Sequence, residues 1–282
     1  MLDRRTFLLA ASALFVALPA EAGLRERISA RKEERLIGKA ASAKPVTVSY
    51  GPALLDIYAP DNARNAPVFI HVHGGGWKNG NRKYVQSKPE WFTQNGWVFV
   101  SIDYRLLPEA PVTVQAKDVE AAYAFVRANV GRYGGDPSCI AVSGHSAGCH
   151  LVALTGCRGG LAGAKALVLS DVDVYDIAAQ AERNGLRSMH KEAFPDPALW
   201  SELSPITYAS TAKRMPMLIA YSRMKGHKRT ALEFAAALKK GGTHAEIFDG
   251  SSYSHFSINR NFGNENGGVT AATMDFLERF VA

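Results

Sequence analysis

The chain has 282 residues, of which 47% are hydrophobic and 21% charged. That is an ordinary globular balance, which excludes disordered, collagen-like and disulfide-dense classes. At this length one large α/β domain or two smaller ones can bury a sizeable core. The formal net charge of +7 raises nucleic acid or an anionic surface as partner classes, and three cysteines cannot form a disulfide framework.

Residues 1–22 read as an export signal. Arg4 and Arg5 form the charged start, an apolar run covers Phe7–Ala20, and Ala20-Glu21-Ala22 places small residues around a cleavage point. The run is shorter than the roughly 20 residues that a bilayer core demands, so stable membrane insertion is not expected. Asp3-Arg4-Arg5-Thr6-Phe7-Leu8 resembles a bacterial twin-arginine signal, which implies the twin-arginine export machinery as a partner and a periplasmic or secreted destination. A general secretory signal or an uncleaved anchor is the alternative. Removing 1–22 takes away two arginines, Asp3 and Glu21, so the charge of +7 persists. A charged lead-in follows at 23–44, read as a solvated helix or linker. No block of basic residues interleaved with aromatics follows it, so nucleic acid is not an expected partner. Cys139, Cys149 and Cys157 are expected to stay free. The last two share one helical stretch, roughly 12 Å apart, too far for a disulfide.

From residue 45 onward, buried-strand patterns alternate with amphipathic helices. Val46–Tyr50 and Leu54–Tyr58 suggest a hairpin around Gly51-Pro52. Near-continuous apolar runs at Val68–His73, Trp97–Ile102, Ile140–Ser143, Ala166–Ser170, Met217–Tyr221 and Ala245–Phe248 suggest strands covered on both faces, hence a largely parallel sheet. Helical periods cover Val114–Val130, with Val114, Ala121, Ala122, Phe125 and Val126 on one face, and also Thr230–Leu238 and Val269–Val281. The expected class is a single α/β domain over 45–282, a mostly parallel sheet with helices on both faces. Residues 172–212 fit neither period and are expected to pass over one edge of the sheet.

Gly144-His145-Ser146-Ala147-Gly148 follows one buried strand and precedes a helix. In that setting a G-x-S-x-G sequence is a nucleophile elbow: small neighbours permit a sharp turn that presents the Ser146 hydroxyl at the carboxyl end of the sheet. The helix start offers the Ala147 amide to a developing oxyanion. His73-Gly74-Gly75-Gly76-Trp77 ends an earlier strand, where glycines let backbone amides turn inward. A phosphate-cradling loop would need Lys-Ser/Thr and a helix directly afterwards, and neither follows. Among eight histidines, His255 stands after the last strand and ahead of the final helix, in the chain order Ser then His. There an imidazole can take the serine proton and return it to a leaving group. His73 reads as a structural histidine, and Trp77 as packing or a pocket wall. His145 and His150 read as structural side chains pointing elsewhere. His190, His227 and His244 fall in polar, loop-like surroundings.

Taken in order, His73–Trp77, Asp103-Tyr104-Arg105-Leu106, Tyr133-Gly134-Gly135-Asp136-Pro137 and Gly144–Gly148 resemble the α/β-hydrolase superfamily. The likeness is to its carboxylesterase, hormone-sensitive-lipase-like and kynurenine-formamidase-like (BD-FAE-like) branch, densest over 67–157. It implies that Gly75, Gly76 and Ala147 donate to the oxyanion, that Asp103, Arg105 and Asp136 are structural, and that no metal or cofactor is required.

The family usually carries its acid after the strand that here is Met217–Tyr221, yet Ser222–Arg229 contains no acidic residue. The preceding strand runs into Asp171-Val172-Asp173-Val174-Tyr175-Asp176. Asp171, nearest the strand end, is the first candidate and Asp173 the second; Asp176 reads as a helix cap, and Asp249 is a weaker rival. A dyad lacking any acid stays open. The expected function is a serine ester hydrolase acting on small or medium acyl esters through Ser146, His255 and Asp171. An arylformamidase-type amidase and a non-catalytic binding protein of the same fold are the alternatives. Oligomeric state is not specified by the sequence.

Overall fold

The computed structural model describes residues 44–212 and 215–281. The expected signal and all but the last residue of the lead-in lie outside the described residues. Among the latter, eight strands form one sheet: β1 (Val46–Ser49), β2 (Leu54–Tyr58), β3 (Ala66–Val72), β4 (Val98–Ile102), β5 (Gly135–His145), β6 (Ala166–Ser170), β7 (Met217–Ser222) and β8 (Ala245–Gly250). Their order is β1-β2-β4-β3-β5-β6-β7-β8. The hairpin β1–β2 and the pair β2–β4 are antiparallel, and every other pair is parallel.

Parallel neighbours require crossovers. Here α1 (Lys88–Gln94) joins β3 to β4, α2 (Val112–Asn129) joins β4 to β5, and α3 (Ala147–Arg158) joins β5 to β6. Between β6 and β7 run α4 (Ile177–Asn184), α5 (Ser188–Ala193), α6 (Trp200–Leu203) and two 3₁₀ turns. α7 (His227–Lys240) leads to β8, and α8 (His255–Asn261) and α9 (Gly268–Phe280) close the described chain.

Side chains alternate across the strands, so the sheet separates two cores. Val68, Ile70 and Val72 of β3, with Leu167, Leu169 and Ile219, join Val119, Leu151 and Phe234 from α2, α3 and α7. Phe69, Val168 and Leu218 face the opposite side, with Phe92 of α1 and Phe276 of α9. There the Phe69 and Phe92 rings stack at 4.1 Å between centroids. Each fully buried side chain of this size contributes about 1.5–3 kcal/mol.

Two expectations are corrected. The buried stripe of α2 is Val112, Gln115, Ala116, Val119, Ala122, Tyr123 and Val126, while Val114, Ala121 and Phe125 are only half-buried. An apolar-only pattern misses this face because Gln115 and Asp118 lie on it. Gln115 donates to the Trp77 and Ala110 carbonyls, and Asp118 receives Arg105. Residues 172–212 do not pass over a sheet edge: they connect β6 and β7, adjacent strands inside the sheet. Beginning from the carboxyl end of β6, they pack His190 and Phe194 on Trp77, and the Leu203 carbonyl faces His150 Nε2 at 2.9 Å.

Candidate active site

Ser146 sits between β5 and α3 with φ 56° and ψ −121°, a strained conformation for a non-glycine residue. The surrounding packing holds it. A Cβ on Gly144 would stand 2.3 Å from the Gly148 carbonyl oxygen, and one on Gly148 would stand 2.2 Å from that of Val72. Both positions therefore require glycine. The Ser146 amide donates to the Ser170 carbonyl at 3.0 Å, which ties the elbow to the last residue of β6.

His255 is the first residue of α8. Ser254 caps that helix, accepting from the Ser257 amide while the Ser257 hydroxyl accepts from the Ser254 amide, a reciprocal arrangement that fixes the helix start. Ser146 Oγ lies 3.0 Å from His255 Nε2, and His255 Nδ1 lies 2.6 Å from Asp171 Oδ2. The His255 side chain keeps 18% exposure and Asp171 none. Ser146, His255 and Asp171 thus form one continuous chain of hydrogen bonds.

Asp171 directly follows β6 in the left-handed region, at φ 60°. Its amide donates to Ala220 of β7 at 2.9 Å, which turns the carboxylate toward both β7 and α8. Burial alone would raise its pKa. Hydrogen bonds from His227 and His255 outweigh that and hold the carboxyl well below its usual range. Asp173 is not part of this chain: it pairs with Arg187 at 2.8 Å and faces His190. Asp176 caps α4 through the Ala179 amide. Asp249 is exposed and accepts from the Ser251 amide.

The glycine loop lies directly against the elbow. A Cβ on Gly74 would meet the His145 carbonyl oxygen at 2.8 Å and Ser146 Cβ at 2.9 Å. Gly75 and Gly76 take φ of 133° and 63°, open to them because they lack a Cβ. Neither amide donates in a backbone hydrogen bond among the described residues. Ala147 opens α3, so its amide is among those a helix leaves without an internal partner. His73 Nδ1 donates to the Gly74 carbonyl at 2.8 Å, and its ring stacks on Tyr104. Burial lowers the His73 pKa to about 4, so this ring stays neutral and structural. Asp103 is held by Arg82, Arg105 by Asp118, and Asp136 by Ser138.

Three histidines differ from their sequence reading. His145 does not point away from the site: its Nε2 donates to the His255 carbonyl at 2.9 Å. Burial first, then the neighbouring His255 charge, lowers its pKa to about 3, so it acts as a neutral donor. His190 and His227 have polar neighbours but are not loop residues: His190 lies in α5 and His227 begins α7, and each is 1% exposed. His227 Nδ1 stands 2.8 Å from Asp171 Oδ1, a contact missed from the sequence. The available signal was its place a few residues after β7, at the carboxyl end of the sheet where ligand-facing residues gather. Asp171, His227 and His255 bring three potential metal-ligand atoms within 4.8 Å of one another. Both Nδ1 atoms already face the carboxylate as hydrogen-bond donors, which accounts for the closeness.

The family model described as BD-FAE matches residues 55–174. Esterase LipQ of Mycobacterium tuberculosis is 29% identical over 267 residues, which cover 84% of this chain and 62% of that protein. The chain therefore spans about three fifths of that relative's length. Among solved structures, the propionate-bound esterase Est2 of Thermogutta terrifontis superposes with a TM-score of 0.66 at 24% identity, covering 83% of this chain and 92% of its own. Esterase B of Lactobacillus rhamnosus (strain HN001) superposes with a TM-score of 0.73 at 18% identity, covering 92% of each chain.

Proposed function

We propose that this chain belongs to the carboxylesterase-like part of the α/β-hydrolase superfamily and is a serine hydrolase cleaving small or medium acyl esters, a reading supported by its likeness to the BD-FAE model, to LipQ and to Est2. The observation that carries the reading is His255, with Ser146 Oγ at 3.0 Å on one ring nitrogen and Asp171 Oδ2 at 2.6 Å on the other. In this reading Ser146 Oγ attacks the ester carbonyl while His255 Nε2 takes its proton. Asp171 holds the ring with its proton on Nδ1 and stabilises the imidazolium. The amides of Gly75, Gly76 and Ala147 receive the oxyanion. Collapse expels the alcohol with the proton from His255, and water releases the acid by the same route.

The non-catalytic alternative drew its support from the missing carboxylate after β7. Asp171 offers one from β6, which favours the enzyme. Formamide hydrolysis uses the same atoms, and an aryl formamide assayed beside p-nitrophenyl esters separates the two. The direct experiment is labelling with a fluorophosphonate. Wild type should be labelled and Ser146→Ala should not; equal labelling of both, or of neither, removes the hydrolase reading.

Export by the twin-arginine route belongs to the same proposal, supported by Arg4, Arg5 and the short apolar run Phe7–Ala20. Replacing both arginines by lysine should retain the protein in the cytoplasm of a bacterial host. Periplasmic recovery of that double variant would point to the general secretory route instead.

A further inference from the structure

The buried acid is served by two histidines, and only one of them faces the nucleophile. His227 opens α7. Its Nδ1 lies 2.8 Å from Asp171 Oδ1, the same oxygen that accepts the Ser222 amide of β7 at 2.6 Å. His255 takes the other oxygen, Oδ2. Among the described residues, His227 Nε2 is buried with no hydrogen-bond partner.

These contacts select one protonation state. With its proton on Nδ1, a neutral imidazole donates to the carboxylate and leaves a lone pair on Nε2. With the proton on Nε2, a buried donor would be unpaired, and two lone-pair atoms would face each other across 2.8 Å. A doubly protonated ring would bury the same unpaired donor together with a charge. The acid itself needs support, because Asp171 holds a left-handed backbone conformation at φ 60°, which a residue with a side chain adopts only where its surroundings fix it.

We propose that His227 is a positioning residue for the acid: as a neutral Nδ1–H donor it pins Oδ1 of Asp171, so that Oδ2 stays aimed at His255. The proposal rests on the hydrolase reading above. In this molecule the strand that usually bears the acid supplies, through Ser222 and His227, the groups that hold an acid borne by its neighbour.

The charged and titratable groups around His227 come from several elements. Asp171 faces it from the end of β6, and His255 from α8 with ring centroids 5.6 Å apart. Asp173 faces it from the β6–β7 crossover, itself paired with Arg187 and His190. Tyr175 and Cys149, hydrogen-bonded to each other, interact electrostatically with Asp171, and Lys228 and Arg229 follow His227 on its own helix, exposed. Removing the His227 donor leaves more of the Asp171 charge to stabilise protonated His255, so the acid limb of kcat/KM must move to higher pH.

The test compares wild type, His227→Ala and His227→Asn on p-nitrophenyl acetate across pH, with long-range proton–nitrogen NMR of the imidazoles in wild type. His227→Ala should lower kcat about ten- to a hundredfold with KM within about twofold, and raise the acid limb by about half a pH unit or more. His227→Asn, whose amide donates from a similar place without titrating, should restore most of the rate and return the limb toward wild type. NMR should show wild-type His227 neutral at pH 7 and protonated on Nδ1. An unmoved limb in His227→Ala, or an Nε2-protonated or cationic ring, overturns the proposal. If His227→Ala does not fold, the asparagine variant and the ring state decide. Wild type inert toward both ester and fluorophosphonate defeats the hydrolase reading alone, and the NMR result then judges the place given to His227.

Discussion

The two halves of the site are built by different forces. On the β3–β5 side, the glycine loop and the elbow fit because backbone presses on backbone. Gly144 and Gly148 leave no room for a Cβ, and Ser146 is strained into place by the packing around it. On the β6–β7 side the acid is held by polar groups sunk in the interior: the Ser222 amide, His227 and His255 all converge on one carboxylate. Steric construction fails abruptly when a methyl is added. Hydrogen-bonded construction fails by degrees, one donor at a time. The first half tolerates almost no substitution in its backbone turns, and the second tolerates change so long as donors are replaced.

The sharpest way to break this comparison is chemical. Ser146→Ala should lower kcat by about five orders of magnitude or more, measured with p-nitrophenyl acetate. Asp171→Asn should lower it about a thousand- to ten-thousandfold through loss of ring orientation, while Asp173→Asn stays within about fivefold. Reversed ranks for the two aspartates would place the acid wrongly. Gly148→Ala tests the steric half. With a Cβ 2.2 Å from the Val72 carbonyl oxygen, the fold should lose about 3 kcal/mol, read as a lowered denaturant midpoint. A midpoint within error of wild type would show that the elbow yields.

A weaker effect concerns Lys88, fully buried behind α8. Its ammonium donates to Gln86 Oε1 and to the Asn259 carbonyl, both at 3.0 Å, and burial lowers its pKa from 10.5 to about 7. The folded state thus releases this proton at lower pH than the unfolded state. The associated stability is absent below about pH 7 and accrues as pH rises from there toward 10.5, at up to about 1.4 kcal/mol per pH unit. Lys88→Met should remove that slope, checked by urea unfolding of both proteins at pH 7 and pH 9; parallel behaviour would show that Lys88 remains charged. The smallest effect is expected at Ser222. Ser222→Ala should cost about twofold at most, whereas Ser222→Pro, which removes the amide, should cost far more in kcat.

The same contrast governs what the sequence reveals. Ser146 and His255 stand 109 residues apart, yet both are readable, since each has a place in a local pattern: a strand-to-helix turn for one, the stretch between the last strand and the final helix for the other. The inner strands β3, β4, β6 and β7 were readable as apolar runs because the sheet is covered on both faces there, whereas the edge strand β1 is mostly exposed. Asp171 has no such pattern and could only be ranked by its nearness to a strand end. His227 was missed, because its partner lies 56 residues away and they meet only when β6 pairs with β7. The buried face of α2 was misread for a related reason: Gln115 and Asp118 belong to the core through their hydrogen bonds, and hydropathy does not register those.

One consequence of the displaced acid reaches beyond the triad. Asp171 draws on β7 chiefly for the backbone amide of Ser222, which every residue type except proline can provide. The next three side chains, Arg223, Met224 and Lys225, are all exposed. They stand beside the segment that leads into α8 and His255, joined to it through the Arg223 amide and the Tyr253 carbonyl at 2.9 Å. In a protein with its acid on β7, this stretch is bound by catalysis. Under the proposed function the same stretch carries no catalytic group here, so its exposed side chains can be changed while the reacting atoms stay where they are.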